Sequence, residues 1–281
     1  MPDINRVAAI HDISGFGKCS LTIVIPVLSA MGIEVCPLPT ALLSSHTGFK
    51  DYTFFDLSEE MEKISAHWKD MNIKFNCIYS GFLGSDKQVD FLLSFIKYFG
   101  NSALKVVDPV MGDNGRLYST ITDNMCKKMS ILVKTADIIT PNLTEACILL
   151  NEPYPHKNIE ETTIFKWLER LSDEGPRFTI ITGIVKDDKL CNYAYDKRLN
   201  KYHVSKSPSL PIEISGTGDL FTSVLTGALL NGLPLFVALE ESTYFVYTSL
   251  RTTMDSGRKE SDGIIFEKNL CALCANINRG K

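Results

Sequence analysis

Residues 214–225 read Ile-Ser-Gly-Thr-Gly-Asp-Leu-Phe-Thr-Ser-Val-Leu, a spacing that suits one kind of chemistry. Gly216 and Gly218 flank Thr217 and stand directly before Asp219. Two glycines stop any preceding strand and allow backbone angles that residues with a Cβ avoid. Leu220, Phe221, Val224, Leu225, Ala228 and Leu229 then recur at helical spacing, until Asn231-Gly232-Leu233-Pro234 ends the helix. A glycine turn feeding a helix N-terminus presents free N–H groups and the positive end of the helix dipole, which bind anions, phosphate above all. Asp219 falls in the first turn of that helix. An anion cradle beside a carboxylate is what phosphoryl transfer to an alcohol requires: the carboxylate takes the hydroxyl proton while N–H groups stabilise the moving phosphoryl group. Alone, the same four residues are equally compatible with a tight turn capped by Asp219.

The elements that position this turn are legible along the chain. Residues 6–10 form an apolar run ending at His11-Asp12, a buried first strand. A glycine loop, Ser14-Gly15-Phe16-Gly17-Lys18-Cys19-Ser20, leads into an apolar helix over 21–31, with Pro26 expected in its first turns or at a kink. The loop is not a P-loop, because Asp12 and Cys19 stand where Gly and Ser or Thr are needed. Nor is it a dinucleotide fingerprint, since Ser20 occupies the third glycine position. Strands follow at 33–39, 76–80, 104–110, 137–140 and 178–183, helices at 59–71 and 86–99, and a hairpin pairs 190–194 with 201–205. Further helices cover 235–252 and 266–277.

This alternation implies an α/β fold with a mainly parallel sheet covered by helices on both faces, and ligands beyond the carboxyl ends of the strands. Those ends carry His11, Ser14, His46, Thr47, Asp108, Asn142, Glu145, Thr182 and Asp219. Without an internal repeat, low-complexity tract or linker, residues 1–281 read as one domain.

Composition narrows the class. With 281 residues, 44% hydrophobic and 22% charged, the chain has an ordinary soluble globular make-up. A net charge of −4 leaves no footprint for nucleic acid or an anionic membrane. No stretch reaches the roughly 18 apolar residues of a membrane span, and the start lacks a signal-peptide layout. Eight scattered cysteines fit a reduced, cytoplasmic protein. Cys271 and Cys274 have no second Cys or His pair nearby and suit one face of a terminal helix.

Five motifs in order resemble the ribokinase-like superfamily, and within it the pyridoxal/pyridoxamine kinases. They are Gly216-Thr217-Gly218-Asp219, Asp108-Pro109-Val110-Met111-Gly112, Asn142-Leu143-Thr144-Glu145, the Ser44 to Thr47 loop, and Ser80-Gly81-Phe82-Leu83-Gly84-Ser85. The resemblance implies a ribokinase-like fold and ATP-dependent phosphorylation of the 5′-hydroxymethyl group of a B6 vitamer, serving pyridoxal 5′-phosphate salvage. Asp219 would be the base, and Gly216, Thr217 and Gly218 the anion hole. Asp108, Asn142 and Glu145 would lie on the nucleotide side, Asp108 and Glu145 toward Mg2+, with Thr182 and Gly183 near the nucleotide phosphates. Ser14, Thr47 and Phe82 would face the substrate ring, Phe82 only by packing where relatives carry Tyr. His46 is either a ligand contact or a structural histidine, and Lys206-Ser207-Pro208 falls where relatives cover the nucleotide. A monovalent cation, K+, and a homodimer are also implied. The nearest alternative is a hydroxymethylpyrimidine kinase, which would carry a Gly-Gly-rich first loop. A non-catalytic sensor of B6 vitamers or nucleotides fits less well, because Asp219 and its glycines are intact.

Overall fold

The computed structural model describes residues 4–155 and 159–278. Residues 1–3, which carry part of the N-terminal reading, lie outside them. The chain runs β1 (Arg6–Ser14), α1 (Leu21–Ala30), β2 (Glu34–Leu43), β3 (Phe54–Asp56), α2 (Ser58–Asp70), β4 (Cys77–Ser80), α3 (Asp86–Phe99) and β5 (Leu104–Val107). A short ribbon of β6 (Gly112–Asp113) and β7 (Arg116–Leu117) leads to α4 (Asp123–Val133), β8 (Ile138–Ile139), α5 (Leu143–Leu150) and α6 (Glu161–Asp173). The hairpin strands β9 (Phe178–Lys186), β10 (Lys189–Asp196) and β11 (Lys201–Pro208) precede α7 (Thr217–Leu230), α8 (Leu235–Asp255) and α9 (Leu270–Asn278).

One nine-stranded sheet, ordered β11-β10-β9-β8-β5-β4-β1-β2-β3, organises the molecule. Its centre is parallel, from β2 through β1, β4, β5 and β8 to β9. Its edges are antiparallel, because β3 and the β10–β11 pair fold back through short connections. Strand periodicity divides the core in two. Ala8, Ile10, Ile78, Val107, Ile139 and Ile181 face the layer that includes α3, α4 and α6. Val7, Ala9, Cys77, Tyr79, Val106, Ile138 and Ile180 face α1, α7 and α8.

Helix α7 lies within this second layer, with Leu220, Phe221, Val224, Leu225 and Ala228 buried. Gly227 lets it approach α1 closely, since a Cβ there would meet Met31 Sδ at 2.4 Å. Helix α1 continues through Pro26 midway along its length, rather than holding it in the first turn. At the C-terminal end a 3-10 turn, Glu267–Asn269, precedes α9. Cys271 is exposed, and Cys274 Sγ donates to the Ala30 carbonyl at 2.9 Å, packing α9 on α1. Among the described residues, no helix is long and apolar enough to cross a membrane.

Candidate active site

The site grows from the start of α7. Gly216 occupies the N-cap with φ 89°, a left-handed conformation, and a Cβ on it would lie 2.5 Å from the Lys18 carbonyl oxygen. Glycine is therefore what lets the first loop and the helix start touch. Asp219 follows in the first turn, and its Oδ2 accepts the Ser20 backbone N–H at 2.8 Å. Burial pushes its carboxyl up to about 7; the Ser20 N–H opposes that and the Asp12 charge adds to it. A carboxylate so poised at neutral pH is suited to accept a proton.

Asp108 stands directly after β5, where the central strands end. A Cβ on Gly218 would lie 3.9 Å from Asp108 Oδ2, which puts this carboxyl against the first turn of α7. Burial, then the Asp219 charge, push Asp108 up to about 8, against hydrogen bonding from the Thr140 and Thr222 hydroxyls. Thr222 Oγ1 and Thr140 Oγ1 lie 3.0 Å apart, so both threonines stand together beside the acid.

Asn142 and Glu145 form a reciprocal helix cap. Asn142 Oδ1 accepts the Glu145 N–H at 3.0 Å, and Glu145 Oε2 accepts the Asn142 N–H at 2.8 Å. Each also holds the loop after Asp108: Asn142 Nδ2 donates to the Gly112 carbonyl and Glu145 Oε1 accepts the Met111 N–H. Burial, then the Asp108 charge, hold Glu145 well above the usual carboxylate range. Among the described residues, no group of three or more His, Cys, Asp or Glu is disposed to hold a metal ion.

On the other side of Asp219, the end of β1 and the following loop form a second polar layer. Asp12 is buried and accepts hydroxyl protons from both Ser14, at 2.9 Å, and Ser20, at 2.5 Å. Ser14 is itself 1% exposed, and its proton is committed to Asp12. Ser20 has φ 51° and ψ −131°, a conformation that costs a side-chain-bearing residue on the order of 1–3 kcal/mol. His11 Nδ1 is 4.0 Å from Asp219 Oδ1, but burial pushes the imidazole down to about 3, so it is neutral there and forms no ion pair. Its ring packs edge-on against Tyr79 and close to Gly81, where a Cβ would meet Nδ1 at 2.4 Å.

Both ring nitrogens of His46 are engaged within the fold. Its Nδ1 accepts the Gly48 N–H at 3.1 Å, which leaves Nε2 to donate to the Ser261 carbonyl at 3.0 Å. Its ring is clasped by Gly17 and Gly48, either of which would collide with it if given a Cβ. Thr47, the next residue, is exposed. Phe82 is 8% exposed, and its carbonyl accepts the Thr40 hydroxyl at 3.1 Å. Thr182 bridges to Asn142, its N–H donating to the Pro141 carbonyl at 3.0 Å. Gly183 takes φ 74° on the exposed side of β9. Lys206, Ser207 and Pro208 line a groove of about 490 Å³ between β11 and α8, together with Thr243 and Tyr247.

The structure thus brings Asp219, Gly216, Gly218 and Asp108 together, and ties Asn142 and Glu145 to the loop after Asp108. Sequence reasoning missed Asp12 and Ser20, which support Asp219, and Thr140 and Thr222, which flank Asp108. An acid inside an otherwise apolar strand was the signal available for Asp12.

Comparison with known proteins follows the same lines. Residues 25–263 match the family model for phosphomethylpyrimidine kinase. A Bacteroides thetaiotaomicron structure assigned to the phosphomethylpyrimidine kinases, in an orthorhombic form with pyridoxal, is 44% identical with a TM-score of 0.92. That match covers 98% of this chain and 96% of the other. Pyridoxal kinase from Lactobacillus plantarum is 28% identical with a TM-score of 0.90, covering 99% of both chains. A Schizosaccharomyces pombe protein assigned as a pyridoxal kinase is 31% identical over 211 residues, spanning 70% of this chain and 65% of that protein.

Proposed function

The chain belongs to the phosphomethylpyrimidine kinase family, and from that premise we propose that it is a pyridoxal kinase acting through one ribokinase-like domain. It transfers the γ-phosphoryl group of ATP to the 5′-hydroxymethyl oxygen of pyridoxal, pyridoxamine or pyridoxine. The observation that carries this reading is Asp219, a partly buried carboxylate poised at about 7 on the glycine-opened first turn of α7. The likeness to the L. plantarum pyridoxal kinase, and to a relative crystallised with pyridoxal, supports the substrate class.

In the reaction, Asp219 takes the hydroxyl proton as the oxygen attacks the γ-phosphorus. The bond from that phosphorus to the bridging oxygen breaks, and ADP leaves with the electron pair. Backbone N–H groups of Gly216, Thr217 and Gly218 stabilise the charge on the phosphoryl oxygens in flight. General-base help of this kind is typically worth about 10²–10⁴-fold. Thr47 approaches the substrate ring through its hydroxyl and Phe82 through apolar packing. Ser14, its proton given to Asp12, offers lone pairs only. Asp108, Asn142, Glu145, Thr182 and Gly183 form the nucleotide side.

Asp108 and Glu145 are the residues that would hold Mg2+, and their chemistry fits it. Both are buried oxygen donors lifted by burial and by neighbouring negative charge, with no cationic side chain among the causes that set them. Two carboxylates completed by water and phosphate oxygens suit this ion. When bound, Mg2+ supplies positive charge that offsets the triphosphate.

The family model and the B. thetaiotaomicron relative carry the phosphomethylpyrimidine name, which favours one second reading, a hydroxymethylpyrimidine kinase. Parallel assays of ATP-dependent phosphorylation on the three B6 vitamers and on hydroxymethylpyrimidine separate the two, with and without K+. Preference for a vitamer, lost in Asp219→Ala while ADP still binds, supports the proposal. Preference for hydroxymethylpyrimidine replaces it with the second reading. Turnover in Asp219→Ala within about tenfold of the parent removes Asp219 as base, given the range general bases normally contribute.

A further inference from the structure

The end of β1 holds a buried acid that phosphoryl transfer does not use. Asp12 is 4% exposed and forms no ion pair with a lysine or arginine among the described residues. Its two oxygens instead take the hydroxyl protons of Ser14 and Ser20. Ser20 is the more informative partner because its backbone is held where side-chain-bearing residues seldom go, at φ 51° and ψ −131°. Strain of this kind persists only when the surroundings over-determine it. Here the Ser20 carbonyl accepts the N–H groups of Ile23 and Val24, each at 2.9 Å, and Ser20 bridges antiparallel to Ile13. The Asp12 tether completes the set. The result is a backbone N–H that donates to Asp219 Oδ2 at 2.8 Å, from a residue 199 positions away in the chain.

We propose that Asp12 is a positioning residue for the base: it holds Ser20 in its strained conformation, and Ser20 in turn fixes the Asp219 carboxylate through its backbone N–H. This rests on the reading of Asp219 as the base. Asp12 touches neither substrate nor nucleotide in this role. The positioning role runs through the hydroxyl tether; the negative charge of Asp12 acts on Asp219 separately, by raising its carboxyl. Asparagine can still accept the Ser20 proton through its amide oxygen, whereas alanine cannot.

The test compares Asp12→Ala, Asp12→Asn, Ser20→Ala and the Asp12→Ala/Ser20→Ala double variant, with Asp219→Ala alongside. The readouts are kcat and KM for pyridoxal and ATP, thermal unfolding and ADP binding. Misplacing a reacting group by about 1 Å costs around 10²-fold, so Asp12→Ala and Ser20→Ala should each lower kcat by about 10–100-fold. KM for ATP should stay within about threefold, because the loss falls on the reacting geometry. The double variant should be no slower than the worse single, since both remove one tether. Asp12→Asn should recover kcat to within about fivefold of the parent.

A kcat for Asp12→Ala within about threefold of the parent overturns the proposal, as does multiplication of the two single effects in the double variant. So does Asp12→Asn as slow as Asp12→Ala, which would make the charge the active feature. Where Asp12→Ala fails to fold, Ser20→Ala, which removes one hydroxyl, decides by the same thresholds. Retained turnover in Asp219→Ala refutes the base itself, an outcome separate from the others.

Discussion

Gly216→Ala tests the link between the first loop and α7 most sharply. The native φ is 89°, so alanine is strained there before any contact is considered. Its methyl would then lie 2.5 Å from the Lys18 carbonyl oxygen and 2.6 Å from Ile23 Cδ1. The Ile23 methyl can rotate away; a backbone carbonyl cannot. Ordinary contact begins near 3.5 Å, so loop and helix must separate by about 1 Å. That separation falls between the two groups that fix the base, since Ser20, two residues after Lys18, donates to Asp219 Oδ2. A shift of that size should lower kcat by about 10²-fold. The strained backbone should cost about 1–3 kcal/mol, read as a Tm several degrees lower. Gly218→Ala is the contrast: its Cβ meets only Asp108 Oδ2, at an ordinary 3.9 Å. Inside a helix, alanine is favoured over glycine by up to about 1 kcal/mol, so its Tm should hold or rise. Kinetics on pyridoxal and thermal unfolding of both variants check this. Parental Tm with kcat within about threefold for Gly216→Ala, or equal destabilisation by Gly218→Ala, would refute the close-contact argument.

Three further outcomes follow from the site. Asp219 and Asp108 are raised to about 7 and about 8, so between about pH 4 and 8 the folded state binds more protons than the unfolded chain. Their contribution to stability is therefore full below about pH 4 and lost as pH rises through 7 to 8; Asp108→Asn should raise the Tm at pH 8 and leave it little changed at pH 4. A parental Tm at pH 8 would argue against that burial. Asn142→Ala removes the cap of α5 and the bond to the Gly112 carbonyl, and should cost about 1–2 kcal/mol in urea unfolding. His46→Ala releases the Ser261 carbonyl and the Gly48 N–H, loosening the loop that carries Thr47. A net loss of about 1 kcal/mol of order there should raise KM for pyridoxal about fivefold, with kcat little changed.

Much of this architecture was legible because its strands are buried on both faces and its helices are amphipathic. The strand at residues 77–80, the helix at 86–99 and the β10–β11 hairpin lie where the pattern put them. Short pairings escaped: β3 and the β6–β7 ribbon comprise two or three residues each, too few for any period to register. Strand β1 runs on to Ser14 because Asp12 and Ser14 satisfy each other inside the fold, so polar residues there do not end it. Asp219 and Asp108 could be read from a glycine-flanked turn and a strand-end acid. Asp12 showed only as an acid in an apolar strand; its role depends on the positive φ of Ser20, which residue type does not encode. Glu145 also takes part in capping α5, through its bond to the Asn142 N–H.

Four carboxylates along the carboxyl edge of the sheet, with Asp12, Asp108 and Glu145 buried and Asp219 partly so, give the site its electrical character. The Asp12 charge raises Asp219, the Asp219 charge raises Asp108, and the Asp108 charge raises Glu145. Burial and this neighbouring negative charge lift Asp219, Asp108 and Glu145 above the usual carboxylate range. Two carboxyls that resist ionisation together in a low-dielectric site favour whatever positive charge can settle between them and the phosphates. Asp219 meanwhile sits where its ionisation can follow neutral pH, with the Ser20 N–H favouring the charged form that burial opposes. An amide at position 108 removes the negative charge that stands beyond Asp219 without touching the Asp12–Ser20 tether. Asp108→Asn should therefore keep the Asp219 geometry and lose affinity for the metal–nucleotide pair, so that KM for ATP rises more than KM for pyridoxal. Equal loss for both substrates would mean that Asp108 shapes the whole cleft and not its nucleotide end.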